Sequence, residues 1–154
     1  MKILEGDKSA SGASIAIVAS RYNAYIVDRL ISGCLQTLKA GGVSEEGLTL
    51  VRVPGAFEIP ATVQRIARLK KHDAIIALGA VVRGETPHFD YICNECANGL
   101  ATAALESGLP VIFGVLTVNT VEQAKDRSGD EESNKGSEAA QTAIEMLTLY
   151  KKIS

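Results

Sequence analysis

The stretch DAIIALGAVV, residues 73–82, gives way abruptly to RGETPHFDY, residues 83–91, and the fold turns on how that passage is read. A short, nearly continuous aliphatic run is the pattern of a strand covered on both faces. The polar segment after it looks like a helix start: Thr86 as N-cap, Pro87 at the first helical position where its missing N–H costs nothing, and His88 in the first turn. SIAIVAS (14–20), LTLVRV (48–53) and PVIFGVLTV (110–118) repeat the strand pattern. Helical spacing fills the intervals. Val27, Leu30, Ile31, Cys34, Leu35 and Leu38 recur at i, i+3, i+4, i+7, i+8 and i+11, and Gly41-Gly42 offers a stop.

A second helix is expected over 59–69. A third, over 88–106, carries Ile92, Cys93, Cys96, Ala97, Leu100 and Ala104 on one face, and two more are expected over 121–127 and 135–150. Alternating strands and helices imply right-handed βαβ crossovers, hence a three-layer α/β/α sandwich of flavodoxin-like type with a four-stranded parallel sheet.

At 154 residues the chain reads as one domain, 1–154, large enough for a real core. A net charge of −2 offers no basic footprint for nucleic acid or an anionic membrane, so any anion must be held locally. Neither a secretory h-region nor about 18 unbroken apolar residues occurs, which points to a cytoplasmic chain with no membrane span. The odd count of three cysteines fits that compartment better than a disulfide scaffold.

In such sheets ligands bind beyond the carboxyl ends of the strands. The loops there are 21–23, 54–58, 83–88 and 119–120. A helix start presents free amides and the positive end of the macrodipole, so the third loop is a candidate phosphate site, although a plain capped helix carries the same pattern. Gly79 and Gly84 stand at P-loop spacing, but Glu85 replaces the lysine, which argues against a nucleoside triphosphate. Backbone amides and a distant cation must then hold the anion, and Arg127 or Lys135 can supply the charge; each taken alone is equally an ordinary solvated residue. His88 is an imidazole suited to accepting or relaying a proton near neutral pH, although by itself it is equally an ordinary surface or structural histidine. Tyr22, Phe57 and Phe113 can stack a planar ring or pack in the core. Glu58 begins the second helix, where it suits the dipole or can accept hydrogen bonds from a polyhydroxy or amide ligand. Cys93 and Cys96 lie mid-helix without a second ligand pair, so they read as core residues and no metal site is expected.

Arg21-Tyr22-Asn23, VPGAFEIP (53–60), ALGAVVRGETPHFDY (77–91), PVIFGVLT (110–117), the segment 123–127 and NKGSEAA (134–140) together resemble the lumazine synthase family across nearly the whole chain. The resemblance implies a cofactor-independent transferase of riboflavin biosynthesis. It would condense 5-amino-6-(D-ribitylamino)uracil with 3,4-dihydroxy-2-butanone 4-phosphate to give 6,7-dimethyl-8-ribityllumazine, phosphate and water. It also implies roles for residues. Tyr22 would stack on the pyrimidine, with Ala56, Phe57 and Glu58 on the uracil and ribityl chain, and Ala80, Val81 and Val82 offering backbone contacts. Gly84, Glu85 and Thr86 would cradle the phosphate with Arg127, His88 would move protons, and Phe113, Arg127 and Lys135 would come from a neighbouring subunit. The family implies a homopentamer, closed in some members into an icosahedral shell, and riboflavin synthase as a partner.

Two positions depart from the family pattern. Tyr22 stands where Phe or Trp is common, and the turn Gly129-Asp130-Glu131-Glu132-Ser133 replaces a Gly- and Lys-containing one in shell-forming members; its length is unaltered, which favours a shell, whereas the added negative charge and the lost glycine weigh against it. A non-catalytic flavin- or ribityl-binding or shell-forming protein is the competing reading, disfavoured by the presence of both His88 and Arg127. An electron carrier would need a hydroxyl-rich loop that SRYNAY lacks.

Overall fold

A computed structural model describes the chain over residues 1–154, apart from the side chain of Glu131. Four strands, β1 (Ile15–Ser20), β2 (Leu48–Val53), β3 (Ala74–Val82) and β4 (Val111–Val118), alternate with helices α1 (Ala24–Ala40), α2 (Ile59–Arg68) and α3 (His88–Ser107). After β4 come α4 (Val121–Asp126) and α5 (Lys135–Ile153). All strand pairs are parallel in the order β2-β1-β3-β4, and helices cover both faces, so the expected three-layer sandwich is what forms.

The strand alternation builds two cores. On one face Ile15, Ile17 and Ala19 pack with Leu30, Cys34 and Leu38 of α1 and Ile144 of α5. On the other, Ala16 and Val18 pack with Ile59 and Val63 of α2 and Cys96 and Leu100 of α3. Each large aliphatic side chain among them contributes about 1.5–3 kcal/mol through burial. Gly41 ends α1 and Gly42 comes next at φ 90, as the paired glycines suggest.

Two expectations need correction. Burial on both faces holds for β1 throughout but not for β2 or β4, which leave Leu50 at 43% and Phe113 at 44% exposure. They are the sheet's edges, where the covering helices run out. On α3 the fully buried residues are Phe89, Cys96, Leu100 and Ala103, whereas Ile92, Cys93, Ala97 and Ala104 are half-buried. Cys96 is therefore a core residue, its thiol pushed up to about 11 by burial, while Cys93 sits at the margin. No helix of the described residues is long and apolar enough to cross a membrane.

Candidate active site

Because β1 leads outward to β2 before the chain crosses back to β3, the loops after β1 and β3 part on opposite faces, and a cleft opens between them. Its volume is about 630 Å³, and Tyr22, Ala56, Phe57, Glu58, Ala80, Val81, Val82, Gly84, Thr86 and His88 all lie on its wall. Arg21 N–H donates to Val53 O at 2.7 Å and Tyr22 N–H to Pro54 O at 3.1 Å, which extends the β1–β2 ladder into the cleft and places the Tyr22 ring. That residue is 72% exposed and Phe57 is 58% exposed. Two uncovered aromatics on one concavity leave apolar faces for a ligand.

Asn23, which adjoins Tyr22, has a part that sequence alone did not disclose. It takes the left-handed conformation, φ 61, and its Nδ2 donates to Ala80 O at 2.8 Å, bridging the two sides of the switch point. Such strain costs of order 1 kcal/mol or more and persists where the surroundings over-determine it. Glu58 Oε1 accepts from Gly55 N–H at 3.0 Å, so the carboxylate is oriented by its own loop. Phe89 and Ile92 also line the cleft.

The turn from β3 into α3 differs in detail from the helix start read in the sequence. Pro87, at φ −70 and ψ 0, is itself the N-cap, and its carbonyl accepts from Asp90 N–H at 3.0 Å. Thr86 is thus displaced one residue outward and makes no capping bond, because Pro87 already has the half-helical geometry a cap requires. The amides of Gly84, Glu85, Thr86, His88 and Phe89 have no acceptor among the described residues. Glu85 is exposed and not part of the cleft wall. Gly79 lies inside β3, where an added Cβ would stand 2.8 Å from Ser20 Oγ, so close strand packing accounts for it and the P-loop spacing carries no phosphate loop. A Cβ at Gly84 would meet nothing within 4 Å. Arg83 braces the turn, with Nε donating to Asn119 Oδ1 at 2.9 Å, Nη1 3.5 Å from Asp90, and the guanidinium 4.4 Å over the Phe89 ring.

Phe113, Arg127 and Lys135 are elsewhere. They line a separate cavity of about 560 Å³ between β4 and α5, which shares no residue with the first. The start of α5, the helix that carries Lys135, is anchored by Asn134. Its side chain is buried; Oδ1 accepts from Gly136 N–H at 2.8 Å and Ser137 N–H at 3.1 Å, while Nδ2 donates to Arg29 O and Gly129 O, each at 3.1 Å. Lys135 N–H donates to Arg127 O at 2.8 Å, which locks the two cationic residues together. An Asn before a helix can be read as a cap. The bond to Arg29, 105 residues away, comes from a segment no spacing rule would connect.

The fold and cleft define a flavodoxin-like α/β protein with an aromatic, amide-rich cleft at its switch point. Residues 12–151 match the family model described as 6,7-dimethyl-8-ribityllumazine synthase, and the chain belongs to that family. The family places it among the transferase-type enzymes of riboflavin biosynthesis.

Proposed function

We propose that this chain acts as a single-domain 6,7-dimethyl-8-ribityllumazine synthase, joining 5-amino-6-(D-ribitylamino)uracil to 3,4-dihydroxy-2-butanone 4-phosphate and releasing phosphate and water. The observation that carries the reading is the switch-point cleft, where two exposed aromatic rings, unpaired helix-start amides and an imidazole share one wall. Tyr22 and Phe57 take the pyrimidine ring and the aliphatic part of the substrate. Glu58, already oriented by Gly55, accepts hydrogen bonds from the uracil and ribityl groups. The backbone of Ala80, Val81 and Val82 reads the uracil edge.

The phosphate sits against the amides of the turn containing Gly84, Glu85 and Thr86, where neutral donors and the positive end of α3 favour an anion. Glu85 contributes its backbone only. His88 moves the protons. The amine attacks the ketone and one water is lost as the imine forms. Phosphate is eliminated to leave an enol that tautomerises to a second carbonyl, and the ribityl-bearing nitrogen closes the ring on that carbonyl with loss of a second water. A positioned acid or base of this kind supplies about 10²–10⁴-fold in rate.

Phe113, Arg127 and Lys135 reach this cleft from a neighbouring copy, since in one chain they occupy a different cavity. The working unit is then a homo-oligomer, a pentamer by the family's pattern, in the cytoplasm, with riboflavin synthase consuming the product. The turn 129–133 keeps the length found in shell-forming members, which favours closure of pentamers into a sixty-subunit shell, while its added negative charge and lost glycine weigh against that closure. The deciding experiment mixes the purified protein with both substrates and follows lumazine fluorescence together with phosphate release; both appear if the proposal is right. Binding of the uracil with neither signal would instead make this a ligand-binding protein.

A further inference from the structure

Among the described residues no hydrogen bond involves residues 84–86, and nothing packs where a Cβ at Gly84 would stand. The turn is therefore held only at its ends. Its start is pinned by Arg83 N–H, which donates to Val118 O at 2.9 Å and closes the β3–β4 ladder. Its far end is the first turn of α3, where Asp90 N–H reaches Pro87 O at 3.0 Å.

The Arg83 side chain joins those two ends. It leaves the start of the turn and meets the first turn of α3 twice: Nη1 stands 3.5 Å from Asp90 Oδ1, and the guanidinium carbon lies 4.4 Å over the centre of the Phe89 ring. Its Nε donates to Asn119 Oδ1 at 2.9 Å, and Asn119 N–H is in turn held by Gln123 Oε1 at 2.7 Å, so the guanidinium is aimed from the loop after β4. Edge, fork and face each have a separate partner, a combination that only a planar guanidinium offers. Each contact alone is weak, since the Arg83 and Asp90 side chains are 46% and 54% exposed. Together they close a span that has no bonds of its own. Neither Arg83 nor Asn119 lies on the cleft wall, whereas Gly84 and Phe89 do.

Resting on the reading that the turn amides hold the substrate phosphate, we propose that Arg83 is a positioning residue: it clasps residues 84–86 between β3 and α3, so that their free N–H groups are fixed before the anion arrives. Without the clasp the phosphate must order the turn itself, and that ordering is subtracted from binding. The uracil side of the cleft rests on the loops after β1 and β2 and on β3, which keep their own hydrogen bonds. His88 is the first residue of α3 and keeps its helical geometry.

The test uses the assembled protein, with inorganic phosphate as the probe in calorimetry and both substrates in steady-state kinetics. Arg83→Gln is expected to weaken inorganic phosphate by about three- to tenfold, the scale of one or two lost weak contacts. The KM for the phosphorylated substrate rises alongside, while kcat and the KM for the uracil stay within about twofold of the parent. Arg83→Lys behaves like the glutamine variant, because it keeps the charge but loses the fork and the flat face. Asn119→Ala removes only the partner of Nε and shifts phosphate in the same direction by about twofold. A lysine variant that binds phosphate like the parent would show that charge alone operates and would overturn the clasp, as would parental binding in Arg83→Gln. A rise in both KM values with a fall in kcat would mark a general structural defect and overturn the positioning role. A crystal of the parent soaked in inorganic phosphate separates the two claims. Phosphate on the amides of 84–86 keeps that reading whatever the Arg83 variants do, and its absence there overturns both.

Discussion

Replacing Asn134 by alanine removes four hydrogen bonds from one buried side chain. Loss of the cap on Gly136 and Ser137 costs about 1 kcal/mol. The bonds to Arg29 O and Gly129 O add about 1 kcal/mol each, giving about 3 kcal/mol in all. For a chain of this size that lowers Tm by about 6–12 °C. Urea unfolding and calorimetry measure it directly. The variant Asn134→Asp separates the contributions: it keeps the acceptor for the two amides but sets a carboxylate against two carbonyls, so it is expected to be at least as destabilised as the alanine variant. Because Asn134 also pins the strand-like contact between Lys135 N–H and Arg127 O, the alanine variant raises the KM for the phosphorylated substrate more than that for the uracil. An alanine variant melting within about 1 °C of the parent, or an aspartate variant as stable as the parent, would refute the reasoning.

His88→Ala is expected to lower turnover by about 10²–10⁴-fold with oligomer size unchanged, as gel filtration and steady-state kinetics would show; parental turnover would remove His88 from the mechanism. Arg127→Ala raises the KM for the phosphate-bearing substrate by about tenfold or more, and an effect confined to the uracil would contradict its assignment. Burial holds the Cys34 thiol up at about 12 and that of Cys96 at about 11, whereas the half-buried Cys93 is raised less by desolvation and the neighbouring Asp90. A raised thiol favours the protonated folded form, so this contribution to stability is intact below about pH 9 and fades as pH climbs toward 11 and 12. In the folded protein at about pH 8 a thiol reagent should reach Cys93 first and spare the other two until unfolding; rapid labelling of Cys34 would show the core assignment to be mistaken.

The strand-end loops could be located in the sequence because strand and helix periodicities alternate cleanly, and the alternation leaves few topologies open. The Thr86-Pro87-His88 turn was legible as a helix start, but not its register, since one residue of offset at a proline changes which carbonyl closes the first turn. Edge exposure of Leu50 and Phe113 was not legible either: an apolar run looks the same whether or not a neighbour covers it.

Local chemistry along the chain was enough to place Tyr22, Phe57, Glu58 and His88 near one another, because each comes after a strand that ends on the same side of the sheet. Tertiary structure alone decided the rest. Asn23 reaches Ala80 and Asn134 reaches Arg29 across 57 and 105 residues. The division of Arg127 and Lys135 from the aromatic cleft arises from where α5 packs. Such contacts depend on which surfaces close over which, and that is set by the whole core at once rather than by any segment's own pattern.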